Sequence, residues 1–137
     1  MIHVVAGVIW NANREILIAE RPPGRPSAGL WEFPGGKLEK DEEPLAALKR
    51  ELDEEIGIAV TRASPFMQLQ HDYTDRVILL DVWQVYAFDG EPTGREGQLL
   101  RWVSITELTQ YQFPAANEAI VNALMLLPNL SLNDTVS

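Results

Sequence analysis

Residues 35–58 read GGKLEKDEEPLAALKRELDEEIGI, and the register of this stretch decides the fold. Leu45, Leu48, Leu52 and Ile56 recur at steps of three and four, which predicts an amphipathic helix from Pro44 to Ile56. Pro44 suits the first turn, where its missing N–H is no loss, and Gly57 suits the position just past the C-terminus. At about 100° per residue, Glu51, Glu54 and Glu55 fall in one arc beside the apolar one. Like charges at this spacing repel and weaken a helix. Such a face is either a solvated charge run or a set of oxygen ligands for a hard divalent cation, which removes the repulsion.

The rest of the chain frames that helix. "HVVAGVIW" and "EILIAER" around "NANR" predict a hairpin. "PPGRPSAGLW" is a loop, and "WEFPGG" a short strand ending in punctuation. Gly35 and Gly36 would let the backbone turn sharply before the helix. "FMQLQHDYTDRVILLDVWQVYAF" gives two strands hinged at Thr74-Asp75, followed by the loop "DGEPTGREG" and a short strand "LLRWV". Ser104 and Glu107 have capping-box spacing. "AANEAIVNALMLL" is a second amphipathic helix, and residues 128–137 are expected to fray. These elements make one α+β domain over residues 1–137, a mixed sheet with a helix on each side.

Composition narrows the chemistry. The chain has 137 residues, 46% hydrophobic and 23% charged, enough for a real core. With no cysteine and only His3 and His71, thiolate chemistry and a His-rich zinc site are excluded. The net charge of −9 argues against a nucleic acid polymer as partner. A small polyphosphate stays open, because a bound cation reverses the local field. No apolar run approaches the roughly 20 residues of a membrane span, and the N-terminus lacks a signal-peptide pattern. A cytoplasmic monomer is expected. There is no P-loop and no EF-hand pattern.

The wider spacing selects the cation reading. Gly36, five residues, Glu42, seven residues, and then Arg50-Glu51-Leu52-Asp53-Glu54-Glu55-Ile56-Gly57-Ile58 match every fixed position of the Nudix box. Chance would produce such a match on the order of once in a billion windows. The chain resembles a Nudix hydrolase, which implies an α/β/α sandwich with a mixed sheet between helices and hydrolysis of a nucleoside diphosphate linked to another group. Carboxylates without His or Cys suit Mg²⁺, with Mn²⁺ able to substitute. Arg50 can hold a carboxylate with its planar fork, unless it forms only an i,i+4 surface pair with Glu54. Glu42 can orient a ligand or a water, and the resemblance implies Glu51 or Glu54 as the general base.

Outside the box, "LWEFPGGK", "TDR", "GREGQ" and "FPAANEAI" resemble the MutT-like branch of 8-oxo-dGTP diphosphatases. That resemblance implies metal ligation by the Gly35 carbonyl, Glu51, Glu54, Glu55 and Glu96. It implies nucleotide contacts from Arg21, Glu32, Phe33, Pro34, Gly35, Lys37, Asp75, Arg76 and Asn117. Asn117 stands in the first turn of a helix, where an amide is otherwise a cap or solvated. Its chemistry also suits the damaged base, whose N7 carries hydrogen where guanine has an acceptor. Other nucleoside diphosphate derivatives, such as another NTP or dNTP, ADP-ribose or a dinucleoside polyphosphate, are the alternative substrates. A non-catalytic nucleotide-binding domain is a further alternative.

Overall fold

The computed structural model describes residues 1–22, Gly24 and 29–127; the frayed tail expected at 128–137 and the centre of the Pro/Gly loop lie outside them. In chain order the elements are β1 (Ile2–Ile9), β2 (Ile16–Glu20), β3 (Trp31–Glu32), β4 (Gly35–Lys37), α1 (Pro44–Ile56), β5 (Ala59–Asp72), β6 (Val77–Asp89), β7 (Leu100–Val103), a 3₁₀ turn (Thr106–Gln110) and α2 (Ala115–Met125). Four strands form one sheet in the order β4-β1-β6-β5, with β1 and β6 parallel. Three antiparallel strands form the other, in the order β3-β2-β7.

Alternation along the strands sorts side chains to the two helices. Val5 and Ile9 of β1 and Leu17 of β2 pack with Ala47, Leu48, Leu52 and Ile56 of α1. Ala6, Val8, Ile16 and Ile18 pack with Ala116, Ile120, Val121 and Leu124 of α2. Both faces of β1 are therefore buried, so its apolar run is nearly continuous, as expected of a covered strand. The α/β/α sandwich is present.

Helix α1 spans the predicted residues. Pro44 opens it, and Gly57 closes it at φ 72°, a left-handed conformation that glycine adopts without a Cβ clash. The capping box is reciprocal: Ser104 N–H donates to Glu107 Oε1 at 2.8 Å, and Glu107 N–H to Ser104 Oγ at 3.3 Å.

Three expectations are corrected. The hairpin of β1 and β2 reduces to one antiparallel bridge, Trp10 to Ile16, after which the strands part into different sheets. The turn itself is real: Asn11 Oδ1 accepts from Asn13 N at 3.0 Å and Glu15 N at 2.9 Å, with Arg14 at φ 62°. "WEFPGG" is two strands, because β3 pairs with β2 while β4 pairs with β1. Gly35 and Gly36 make no sharp turn. Both lie in β4 with no positive φ. What they supply is room: a Cβ on Gly35 would overlap the β1 backbone at Val5, and one on Gly36 would overlap the Glu51 carboxyl.

Candidate active site

Arg50 is the hub of the acidic face. Its Nε and Nη2 donate to the two oxygens of Glu42, each at 2.9 Å. Nη1 donates to Glu51 Oε1 at 2.8 Å and to Glu54 Oε2 at 3.2 Å, and Nη2 also reaches the Lys37 carbonyl at 3.1 Å. The i,i+4 contact to Glu54 is thus one part of a network joining α1, β4 and the loop between them. Charge-assisted, bidentate bonds of this kind fix both partners in orientation. Arg50, with the Glu39 N–H at 2.9 Å, holds the Glu42 carboxyl down at about 2. Both Glu42 oxygens are engaged, so this residue orients its neighbours.

The opposite effect governs Glu55. Burial, then the hydrogen bond and charge of Glu51, then the charges of Glu96 and Glu32 push its carboxyl up to about 10. Glu32, Glu55 and Glu96 border a cleft of about 220 Å³ together with Arg21 and Gln98. The loop that carries Glu96 is sewn to the C-terminal end of α1. Arg95 N–H and Gln98 Nε2 donate to the Glu55 carbonyl at 3.0 and 3.2 Å, and Arg95 Nη1 to the Asp53 carbonyl at 2.9 Å.

The donor set fits a hard divalent cation. After burial, Glu51 contributes most to raising the Glu55 carboxyl, a crowding of acids that a bound cation would relieve. All neighbouring acids offer oxygen alone, as Mg²⁺ or Mn²⁺ prefers. Among the described residues, no three acidic or histidine side chains stand close enough to make a ready cage. Glu54 is drawn to Arg50, with its side chain 57% exposed.

Beside this cleft lies a second one of about 270 Å³, bordered by Glu32, Phe33, Gly35, Lys37, Tyr73 and Asn117, with Val4, Ile78 and Leu80 among its apolar walls. Arg21 and Glu32, paired at 3.1 Å, border both clefts. Asn117 is not a cap: α2 starts after Pro114 without a side-chain cap bond, and Asn117 Oδ1 accepts the Phe33 N–H at 3.2 Å from 84 residues away. Phe33 is core and site at once, 3% exposed and stacked on Phe113 at 5.4 Å.

The sequence-derived residues therefore divide. Arg21, Glu32, Phe33, Gly35, Lys37 and Asn117 come together around the second cleft, and Glu51, Glu55 and Glu96 around the first. Pro34 is buried, its carbonyl accepting Gly7 N–H at 2.8 Å. Asp75 and Arg76 sit at the exposed tip of the β5–β6 hairpin, where the Arg76 guanidinium stacks 5.4 Å from the Tyr73 ring. Sequence reasoning missed Tyr73, which lines the pocket, and Gln98, which ties the acid loop to α1. An aromatic directly before the hairpin turn was the available signal for the first, and the amide after "GREG" for the second.

Comparison with known proteins gives a consistent result. The family described as NUDIX domain matches residues 5–123. An 8-oxo-dGTP diphosphatase of Escherichia coli K12 is 41% identical over 126 residues, covering 92% of this chain and 98% of that protein. A CTP pyrophosphohydrolase of the same organism is 42% identical over 127 residues, covering 93% of each. Among solved structures, a chain from a structural study of MutT from Aliivibrio salmonicida and Vibrio cholerae superposes with a TM-score of 0.80 at 46% identity, covering 90% of this chain and 95% of that one.

Proposed function

This chain belongs to the NUDIX hydrolase family, and from that premise we propose that it hydrolyses 8-oxo-dGTP to 8-oxo-dGMP and pyrophosphate, clearing an oxidised precursor from the nucleotide pool. One observation carries the choice of base: an amide oxygen on Asn117, aimed at the Phe33 N–H, at the edge of a pocket beside the acidic cleft. In 8-oxoguanine N7–H is a donor, and Asn117 Oδ1 can accept from it while the NH₂ donates to O6. Guanine would set the N7 lone pair against that oxygen. A site built on such a bond rejects the analogue lacking it by about 10⁴–10⁵-fold, far more than shape alone.

In this reading Glu51, Glu54, Glu55 and Glu96, with the Gly35 carbonyl, hold Mg²⁺. When bound, the cation neutralises the triphosphate and polarises the attacked phosphorus. Arg21, which borders both clefts, and Lys37, in the second, would meet the phosphates. A water attacks the β-phosphorus, and the bond to the oxygen bridging the α-phosphorus breaks. That oxygen leaves with the nucleoside monophosphate. Glu51 takes the water's proton: it is fixed by Arg50, faces β4 and the phosphate side, and its side chain is only 16% exposed. Glu42 keeps Arg50, and through it Glu51, in place.

The family works with a divalent cation, so the decisive assay is pyrophosphate release from 8-oxo-dGTP, dGTP and CTP with and without MgCl₂. The proposal expects kcat/KM to favour 8-oxo-dGTP by orders of magnitude and Asn117→Ala to erase most of that preference. CTP, the substrate named for one relative at 42% identity, is the competitor to beat. A preference for CTP, or full selectivity retained by Asn117→Ala, would overturn the assignment.

A further inference from the structure

We propose that Phe113 is a positioning residue for base selection: it holds Phe33 so that the Phe33 N–H keeps the Asn117 amide in one of its two orientations. The inference rests on the proposed reading of Asn117 and extends it to a side chain outside the pocket lining.

An asparagine amide turned through half a revolution exchanges its acceptor for its donor. In one orientation Asn117 offers oxygen to N7–H of the oxidised base. In the other it offers NH₂ to the N7 lone pair of ordinary guanine. Selectivity therefore depends on the amide not turning over. The Phe33 N–H can only donate, so at 3.2 Å it requires the oxygen. A turned amide would set donor against donor and leave the Phe33 N–H without its acceptor, a costly state for a buried group. Oδ1 has a second lone pair, so it can still accept from the base.

What holds the Phe33 N–H is a closed loop of contacts. Glu32 pairs with Ala19 on β2, and the Pro34 carbonyl accepts Gly7 N–H at 2.8 Å, which fixes the chain on both sides of Phe33. The Phe33 ring lies on the Phe113 ring, with centroids 5.4 Å apart and planes within 12°. Trp31 N–H donates to the Gln112 carbonyl at 2.8 Å, so the residues before both rings are also joined. Phe113 leads through Pro114 into α2, on whose first turn Asn117 stands. The stack thus sets the spacing between the β3–β4 connection that donates and the helix that accepts. Phe113 is 8% exposed and borders a separate cavity of about 520 Å³. Losing the ring would let the stack slacken toward that space.

The test compares Phe113→Leu with Phe113→Tyr, which keeps the ring. Phe113→Met, which conserves volume, is the second variant if leucine does not fold. For each, kcat/KM is measured on 8-oxo-dGTP and dGTP. The expected result is a selectivity ratio lowered about tenfold, the effect of one hydrogen bond, in Phe113→Leu. That fall includes a rise in dGTP turnover that simple damage would not give, and Phe113→Tyr keeps the wild-type ratio. An unchanged ratio in folded Phe113→Leu and Phe113→Met overturns the proposal, as does an equal loss on both substrates. If the wild-type enzyme shows no preference for 8-oxo-dGTP, the functional reading fails on its own. The lock is then read by hydrogen exchange at the Phe33 amide: about tenfold faster exchange in Phe113→Leu supports it, and unchanged exchange refutes it.

Discussion

Removing the divalent cation turns Glu55 into a pH-dependent liability, and the size of the effect follows from its surroundings. The carboxyl is pushed from an ordinary 4.5 to about 10 by burial, Glu51, Glu96 and Glu32. Between those values the folded chain holds a proton that the unfolded chain releases. Stability is therefore complete below the unfolded pKa and falls as pH rises, by about 1.4 kcal/mol per pH unit. From pH 7 to 9 the loss is about 3 kcal/mol, or about 10 °C in Tm for a domain of this length. A cation that replaces the proton abolishes the slope, and its binding at pH 8 releases about one proton.

Thermal unfolding in EDTA and in MgCl₂, across that pH range, measures the first quantity. Calorimetric titration of MgCl₂ in two buffers of different ionisation enthalpy measures the second. Glu55→Gln is the control, since glutamine carries no titrating proton. The general rise in negative charge with pH acts on both proteins alike, so the difference between their slopes isolates Glu55. If wild type and Glu55→Gln lose stability in parallel in EDTA, the crowding of carboxyls is not energetic and the cation argument falls with it.

Arg50→Lys keeps the charge but loses the fork that grips both Glu42 oxygens; kcat or metal affinity should drop about 10–100-fold, and wild-type kinetics would refute the hub. Gly36→Ala places a methyl on the Glu51 carboxyl; overpacking should cost about 1–3 kcal/mol, with turnover lost well below the melting temperature, and retained activity would show that Glu51 can work from elsewhere. Leu52→Ala empties a fully buried position under the acidic face; chemical denaturation should register about 2–5 kcal/mol, and a smaller loss would mean that α1 is not anchored there.

What could be read in advance follows from the range of each interaction. Helix α1 was legible to the residue because its determinants are local: the Leu45-to-Ile56 spacing, Pro44 inside its start and Gly57 past its end. The capping box at Ser104 and Glu107 was legible for the same reason. The parting of β1 from β2 was not, because both are apolar runs around a good turn, and which strands fill the flanks of β1 is decided by β4 and β6, far along the chain. Gly35 and Gly36 pointed to a turn because glycine usually does. Their actual cause is a backbone and a carboxyl that approach from other elements. Arg50 was assigned a carboxylate partner, yet its full set of partners depends on β4 lying alongside α1.

The two clefts work together because one short segment serves both. Phe33, Pro34, Gly35 and Gly36 are consecutive: Phe33 N–H engages the Asn117 amide, and Gly36 leaves the space that Glu51 occupies. The backbone between them is pinned by Gly7 N–H on the Pro34 carbonyl. In the proposed reading, base recognition and phosphate chemistry cannot drift relative to each other without breaking the pairing of β4 on β1. Helices α1 and α2, on opposite faces of the sandwich, contribute the carboxylates and the amide. The strand segment between them sets their separation. This is why two residue groups 62 or more positions apart in sequence, Glu51 to Glu55 and Asn117, can act on one small molecule.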